Sequence, residues 1–76
     1  MQEILKEVLV FKTNINNETD LGRVATLLNR EPDIRKWNVD QNDVDNILRI
    51  EAYELTADQV IALICGAGFQ CEELPD

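Results

Sequence analysis

Two cysteines, Cys65 and Cys71, are the side chains of this sequence that could act as soft nucleophiles or thiolate ligands. They are too few for a disulfide framework, and the start Met1-Gln2-Glu3-Ile4-Leu5-Lys6-Glu7 has no basic region of the secretory type, so free thiols are expected. Histidine is absent, which removes both the commonest general base near neutral pH and the commonest zinc ligand. There is also no nucleophile beside a base and no phosphate-cradling glycine loop, so neither an enzyme nor a bound cofactor is expected. A small buried hydrophobe is the usual role of a free cysteine. Cys65, at the margin of an apolar stripe, is expected to be the more exposed of the two, and acidic surroundings favour its protonated form. As metal ligands Cys65 and Cys71 are weak alternatives, one late on a helix and the other on a strand, without a close spacing that guarantees convergence.

Oxygen donors are more plentiful. Asn17, Glu18 and Asp20 could hold a hard divalent cation, but two or three oxygens on a surface loop make a weak site, and helix capping explains the same residues. Asp40-x-Asn42 with Glu51 superficially suggests a calcium loop, yet Val44 and Asp45 stand where a ligand and the glycine belong, and strands flank it where helices should be. A solvated hairpin tip is expected there. Fifteen acids against seven bases give a net charge of −8, which opposes binding to nucleic acid and to anionic membrane surfaces. Arg49 is the last base, so residues 50–76 carry six acids, Glu51, Glu54, Asp58, Glu72, Glu73 and Asp76, with no cation among them. A protein with a basic patch is the natural complement.

The elements that must position these groups follow from periodicity. Val8-Leu9-Val10-Phe11-Lys12-Thr13 predicts a strand near residues 7–14, after a polar start that is helical or frayed. Asn17, with Asp20 three residues on, caps a first helix whose stripe is Leu21, Val24, Ala25 and Leu28, and Pro32 bars its continuation. Ile34, Trp37 and Val39 then lead through Asp40-Gln41-Asn42-Asp43 into Asn46 to Ala52, a hairpin, with Trp37 assigned to core packing. Thr56 and Gln59 match a capping box ahead of the stripe Ala57, Val60, Ile61 and Ile64. Gly68 supplies a left-handed helix end, and Phe69-Gln70-Cys71 reads as a last strand.

The expected fold is α+β, a ferredoxin-like β-α-β-β-α-β sandwich with two helices on one face of a four-stranded antiparallel sheet and the other face open. Seventy-six residues allow one domain, 1–76, with residues 73–76 as a loose tail. A chain this short buries only roughly 60–65% of its unfolded surface, so a deep catalytic cavity is not expected. With 45% apolar and 29% charged residues the mixture is globular, and its apolar runs fall far short of a membrane span. A cytoplasmic location is expected.

Ile34-x-x-Trp37-x-Val39-Asp40 and Ile64-Cys65-Gly66-Ala67-Gly68-Phe69 resemble the second-strand pattern and the helix-to-strand Ile-x-x-Ala-Gly-aromatic signature of heavy-metal-associated domains, the family that includes copper chaperones. The resemblance covers nearly the whole chain and implies the fold above. Those domains handle copper, zinc or cadmium and hold the metal between two thiolates of a C-x-x-C loop after the first strand. Anchored on Val24, the chain has Asn17-Glu18-Thr19-Asp20 at that place, so the resemblance is to a degenerate member without the metal motif. The same resemblance puts Phe69 near that loop, covering it or forming part of a binding surface, and the expected contact surface is Phe69 with Glu51, Glu54, Asp58, Glu72 and Glu73.

Three functions fit. The first is a non-catalytic interaction or regulatory module that keeps the scaffold and its partner-facing surface. The second is an unconventional metal-binding or transport protein using Cys65, Cys71 or carboxylates, with a homodimer able to share a site. The third is a small-molecule sensor acting as a dimer, although Asn14 to Asp20 lacks the glycine such sites generally use.

Overall fold

A computed structural model describes residues 6–75. The elements are β1 (Lys6–Thr13), α1 (Glu18–Leu28), β2 (Ile34–Asp40), β3 (Ile47–Tyr53), α2 (Ala57–Gly66) and β4 (Cys71–Glu73). The polar start expected before β1 lies outside the described residues. β1 pairs antiparallel with β3 and with β4, and β2 pairs antiparallel with β3, giving the sheet order β2-β3-β1-β4. This is the ferredoxin-like arrangement of a four-stranded antiparallel sheet with two helices.

Strand alternation decides which side of the sheet is dry. Phe11 of β1 and Leu48, Ile50 and Ala52 of β3 are buried, and they cluster with Val24 and Leu28 of α1 and Val60 and Ile64 of α2. Trp37, Val39 and Ile34 of β2 pack against this core partly buried, as the apolar spacing of that strand requires. The Trp37 indole Nε1–H donates to Asn29 Oδ1 at the end of α1 (3.0 Å), so the ring packs with its polar atom satisfied. The alternate strand residues, Val8 and Lys12 of β1 and Arg49 of β3, are exposed on the opposite face.

The helix boundaries are local chemistry. Asn17 Oδ1 accepts from the Asp20 N–H (2.8 Å), capping α1. Thr56 and Gln59 form the reciprocal capping box, with the Thr56 N–H donating to Gln59 Oε1 (2.8 Å) and the Gln59 N–H to Thr56 Oγ1 (3.2 Å). At the other end of α2, Gly68 has φ 95°, its N–H donates to Cys65 O, and the Phe69 N–H donates back to Ile64 O. That pair of bonds is a Schellman closure, and it corrects the expected last strand. Phe69 is still tied to the helix, and the Gln70 N–H is taken by Asn14 Oδ1 (2.8 Å), so β4 starts at Cys71 and runs to Glu73. Glu73 and Leu74, expected in a loose tail, are held against β1: Glu73 pairs with Phe11 and the Leu74 N–H donates to Val10 O (2.9 Å).

Ile50 is fully buried at the centre of β3, whereas Val44 on the hairpin tip is 92% exposed. Ile50→Ala is expected to lower the unfolding free energy by about 2–5 kcal/mol through lost burial and the cavity left behind. Val44→Ala should stay within about 0.5 kcal/mol of the parent. Urea midpoints of the two variants check both values.

Candidate functional site around the first loop

The segment from Thr13 to Asp20 joins β1 to α1, and its path is set by a buried hydroxyl. Thr13 Oγ1 donates to Asn46 O (2.7 Å) and accepts from the Ile15 N–H (3.2 Å), while the Thr13 N–H donates to Asp45 O (3.0 Å). Both hydrogen-bonding capacities of this nearly dry hydroxyl are used, as burial demands. Asn46 accepts the role because it holds φ 45°, a conformation asparagine tolerates better than most residues. Ile15 is thereby driven fully into the core, and Asn16, Asn17 and Glu18 are left exposed.

The polar groups of this loop are occupied by each other and by their neighbours. Asn17 Nδ2 donates to Asp20 Oδ2 (3.0 Å) and to Asn16 Oδ1 (3.2 Å), and Gln41 Nε2 from the hairpin tip donates to Asn17 O (3.3 Å). Asn14 Oδ1 is bound to the Gln70 N–H, which ties the loop to the segment leading into β4. Asn17 and Asp20 are thus brought together, as a cap and its first-turn partner. Their donors are an amide oxygen and a carboxylate, hard ligands unlike the thiolates that select Cu(I). Among the described residues no group of three or more Cys, Asp or Glu side chains converges as a metal site.

Beside the loop lies an interaction that spacing did not reveal. Arg23, one turn into α1, donates from its guanidinium to Ala67 O (2.9 Å) and stacks over the Phe69 ring at 5.1 Å from the centroid. The charge over the ring face is a cation–π contact, and the carbonyl it binds is one that the end of α2 leaves open. Phe69 itself is only 8% exposed. It packs as core under Arg23, and the exposed member of the pair is the arginine, which corrects the expectation that the aromatic ring forms contact surface. Arg23 and Phe69 are far apart in the chain, so no local pattern announces them.

Among the described residues, the acids that follow Ile50 do not form one patch. Glu54, Asp58 and the first turn of α2 lie at the end of the sheet where Tyr53 faces Lys6, whereas Glu72 faces Lys12 near the far end of β1. At about 3.3 Å per residue the two ends are separated by roughly 20 Å. Glu51 lies between Val8 and Lys36 in register, so bases from earlier in the chain are interleaved with these acids.

Cys65 is exposed on the last turn of α2, as expected, and Cys71 is half-buried at the start of β4. Burial pushes the Cys71 thiol from 9.0 up to about 12, and the nearby Cys65 adds to the rise. Cys71 is thus held as a neutral thiol by its burial.

No protein-family model and no curated protein matches the sequence. Solved structures do. The apo form of the HMA domain of the copper chaperone for superoxide dismutase superposes with a TM-score of 0.80 at 17% identity, the match covering 99% of this chain and 74% of that one. This chain has the fold of a heavy-metal-associated domain. The solution structure of the Atx1–Cu(I)–Ccc2a complex matches with a TM-score of 0.76 at 22% identity, over 91% of this chain and 96% of that one. The copper(I)-loaded first domain of the human chaperone CCS matches with a TM-score of 0.77 at 19% identity, over 91% and 93%. These TM-scores, at such low identities, show a shared fold.

The raised pKa of Cys71 has a sign that can be checked. Below pH 9 folded and unfolded chains both hold this proton. As pH rises from 9.0 towards about 12 the unfolded chain releases it first, so the folded state loses stability across that window. Cys71 should alkylate slowly at pH 8, with a rate that climbs until the pH nears 12, and Cys65→Ser should move that titration slightly down. Mass-spectrometric labelling against pH reads both effects, and an ordinary thiol rate for Cys71 at pH 8 would contradict its burial.

Proposed function

We propose that this chain is a non-catalytic interaction or regulatory module built on the heavy-metal-associated scaffold, and that it does not carry a soft metal through the first loop. The observation that carries this reading is the state of Asn17 and Asp20, which are hydrogen-bonded to each other as a helix cap at the place where the resemblance puts the thiolate pair. Soft-metal transport depends on deprotonated sulfur, and neither residue supplies it. The scaffold that presents the loop is otherwise whole: both helix caps and the Schellman closure are formed. The Atx1–Cu(I)–Ccc2a complex supports the idea that such a scaffold can meet a protein partner. The partner proposed here is a protein with a basic surface, since the net charge is −8, and not nucleic acid or membrane. No helix among the described residues is long and apolar enough to cross a membrane, and the proposed place of work is the cytoplasm.

One observation favours a second reading. Cys65 on the last turn of α2 and Cys71 at the start of β4 would allow a thiolate site near the end of α2, in one chain or shared between two. Against it stands the same burial, which keeps Cys71 protonated and so raises the proton cost of binding metal there.

Anaerobic Cu(I) competition against a chromophoric chelator tests the proposal directly. The parent protein is expected to leave Cu(I) with the chelator, and Asn17→Cys combined with Asp20→Cys is expected to withdraw it, because the scaffold then presents two thiolates on one loop. The double variant should also lose about 1 kcal/mol of stability with the helix cap. Binding by the parent that disappears in Cys65→Ser or Cys71→Ser would replace this reading with the second one.

A further inference from the structure

The two edges of the sheet belong to β2 and β4. Residues of a strand direct their backbone groups alternately to one neighbour and the other. The Tyr53 N–H donates to Asp33 O, so Tyr53 faces the β2 side, and at steps of two along β3 Glu51, Arg49 and Ile47 face it too. Their register partners Lys36, Asn38 and Asp40 are therefore bonded inward to β3, and Trp37 and Val39 direct their N–H and C=O groups to the free edge. Among the described residues nothing pairs with those groups. The residues outside the description attach to β1 and β4, which lie across β3 from this edge.

The same two residues are where the core stays open. β3 supplies Leu48, Ile50 and Ala52 to the core as buried side chains, whereas Trp37 and Val39 of β2 pack against it only partly buried. An added strand would bring its own inward side chains beside these two and finish their cover. Charge narrows the occupant. Between Asp33, just before β2, and Asp40, its last residue, the charged residues are Arg35 and Lys36, both exposed. Lys36 faces Glu51, but Arg35 falls in the irregular step between Ile34 and Lys36 and has no register partner. Two copies of this edge would set these like charges together, a device by which edge strands disfavour pairing with themselves. An extended segment that alternates apolar and acidic residues satisfies the backbone groups, the apolar side chains and the cations at once.

We infer that the free edge of β2, from Arg35 to Val39, is a strand-addition site for an extended segment of a partner protein with alternating apolar and acidic side chains. Its main chain pairs with Trp37 and Val39, its apolar residues complete the burial of those two side chains, and its carboxylates meet Arg35 and Lys36. The inference goes beyond the interaction role proposed above, since it adds a contact of opposite charge chemistry, and it does not depend on the first loop.

The test uses an acetylated, amidated eight-residue peptide of alternating valine and glutamate, titrated at physiological salt into the ¹⁵N-labelled protein. Trp37 is the only tryptophan, so its emission reports cover directly. That emission is expected to move to shorter wavelength and to resist acrylamide quenching as peptide is added. The Trp37 and Val39 amides, fast-exchanging in the free protein, should become protected, while those of Lys36 and Asn38 are slow from the start. A peptide N-methylated on its pairing edge should not bind, and one with lysine in place of glutamate should protect Trp37 less. Arg35→Glu with Lys36→Glu should weaken binding about tenfold, the scale expected for two exposed charge contacts, while leaving the fold intact. Val39→Pro removes an N–H on the free edge, where strands tolerate proline, and should abolish the response. The N-methylated peptide gives the same information if that variant fails to fold. The inference is overturned if the Trp37 and Val39 amides of the free protein exchange as slowly as that of Ile50, if millimolar peptide shifts other residues or none, or if the lysine peptide protects Trp37 equally well. It is also overturned if dilution alone changes the Trp37 and Val39 signals, which would make a second copy the occupant. The Cu(I) competition is independent of each of these outcomes, so failure here leaves the reading of the first loop standing.

Discussion

The antiparallel ladder between β1 and β3 is the constraint from which the rest of this molecule follows. It joins residues some forty positions apart, with Lys6 facing Tyr53 and Phe11 facing Leu48, and it places Phe11, Leu48, Ile50 and Ala52 on one side as a single apolar surface. Both helices are held by that surface, because each offers one stripe of buried residues that has nowhere else to go. The ladder also ends in a particular way. At Thr13 the strand spends its N–H on Asp45 O and its hydroxyl on Asn46 O, so the chain must turn away at Asn14 and drop Ile15 into the core. The geometry of the first loop is thus a consequence of sheet register, independent of what the loop binds.

That independence explains how a heavy-metal-associated fold can exist with an oxygen-lined loop. The loop's shape is maintained from below by Thr13 and Ile15, and from the sides by Gln41 and Gln70, while Asn17 and Asp20 close the helix end on themselves. Asparagine is among the best residues for capping, and an acid in the first turn favours the helix dipole. Arg23 adds a strut between the two helices by binding Ala67 O and covering Phe69.

Charge is distributed by the same register. A linear count puts all the cations before residue 50 and six acids after it, yet the sheet interleaves them, setting Glu72 beside Lys12 and Glu51 beside Lys36.

The parts legible in the sequence are those set by contacts a few residues apart. The Asn17–Asp20 cap, the Thr56–Gln59 box, the left-handed Gly68 and the apolar stripes of both helices all appear where spacing places them, because a helix end is satisfied by atoms three or four residues away. The order of elements and the identity of the buried face follow from the same periodicities. The start of β4, the burial of Phe69 beneath Arg23, the half-burial of Cys71 and the dispersal of the acids were decided by tertiary structure alone. Each depends on which residues two distant strands set opposite one another, and register is fixed by the fit of the whole apolar surface, a sum over the core that no short window of sequence contains.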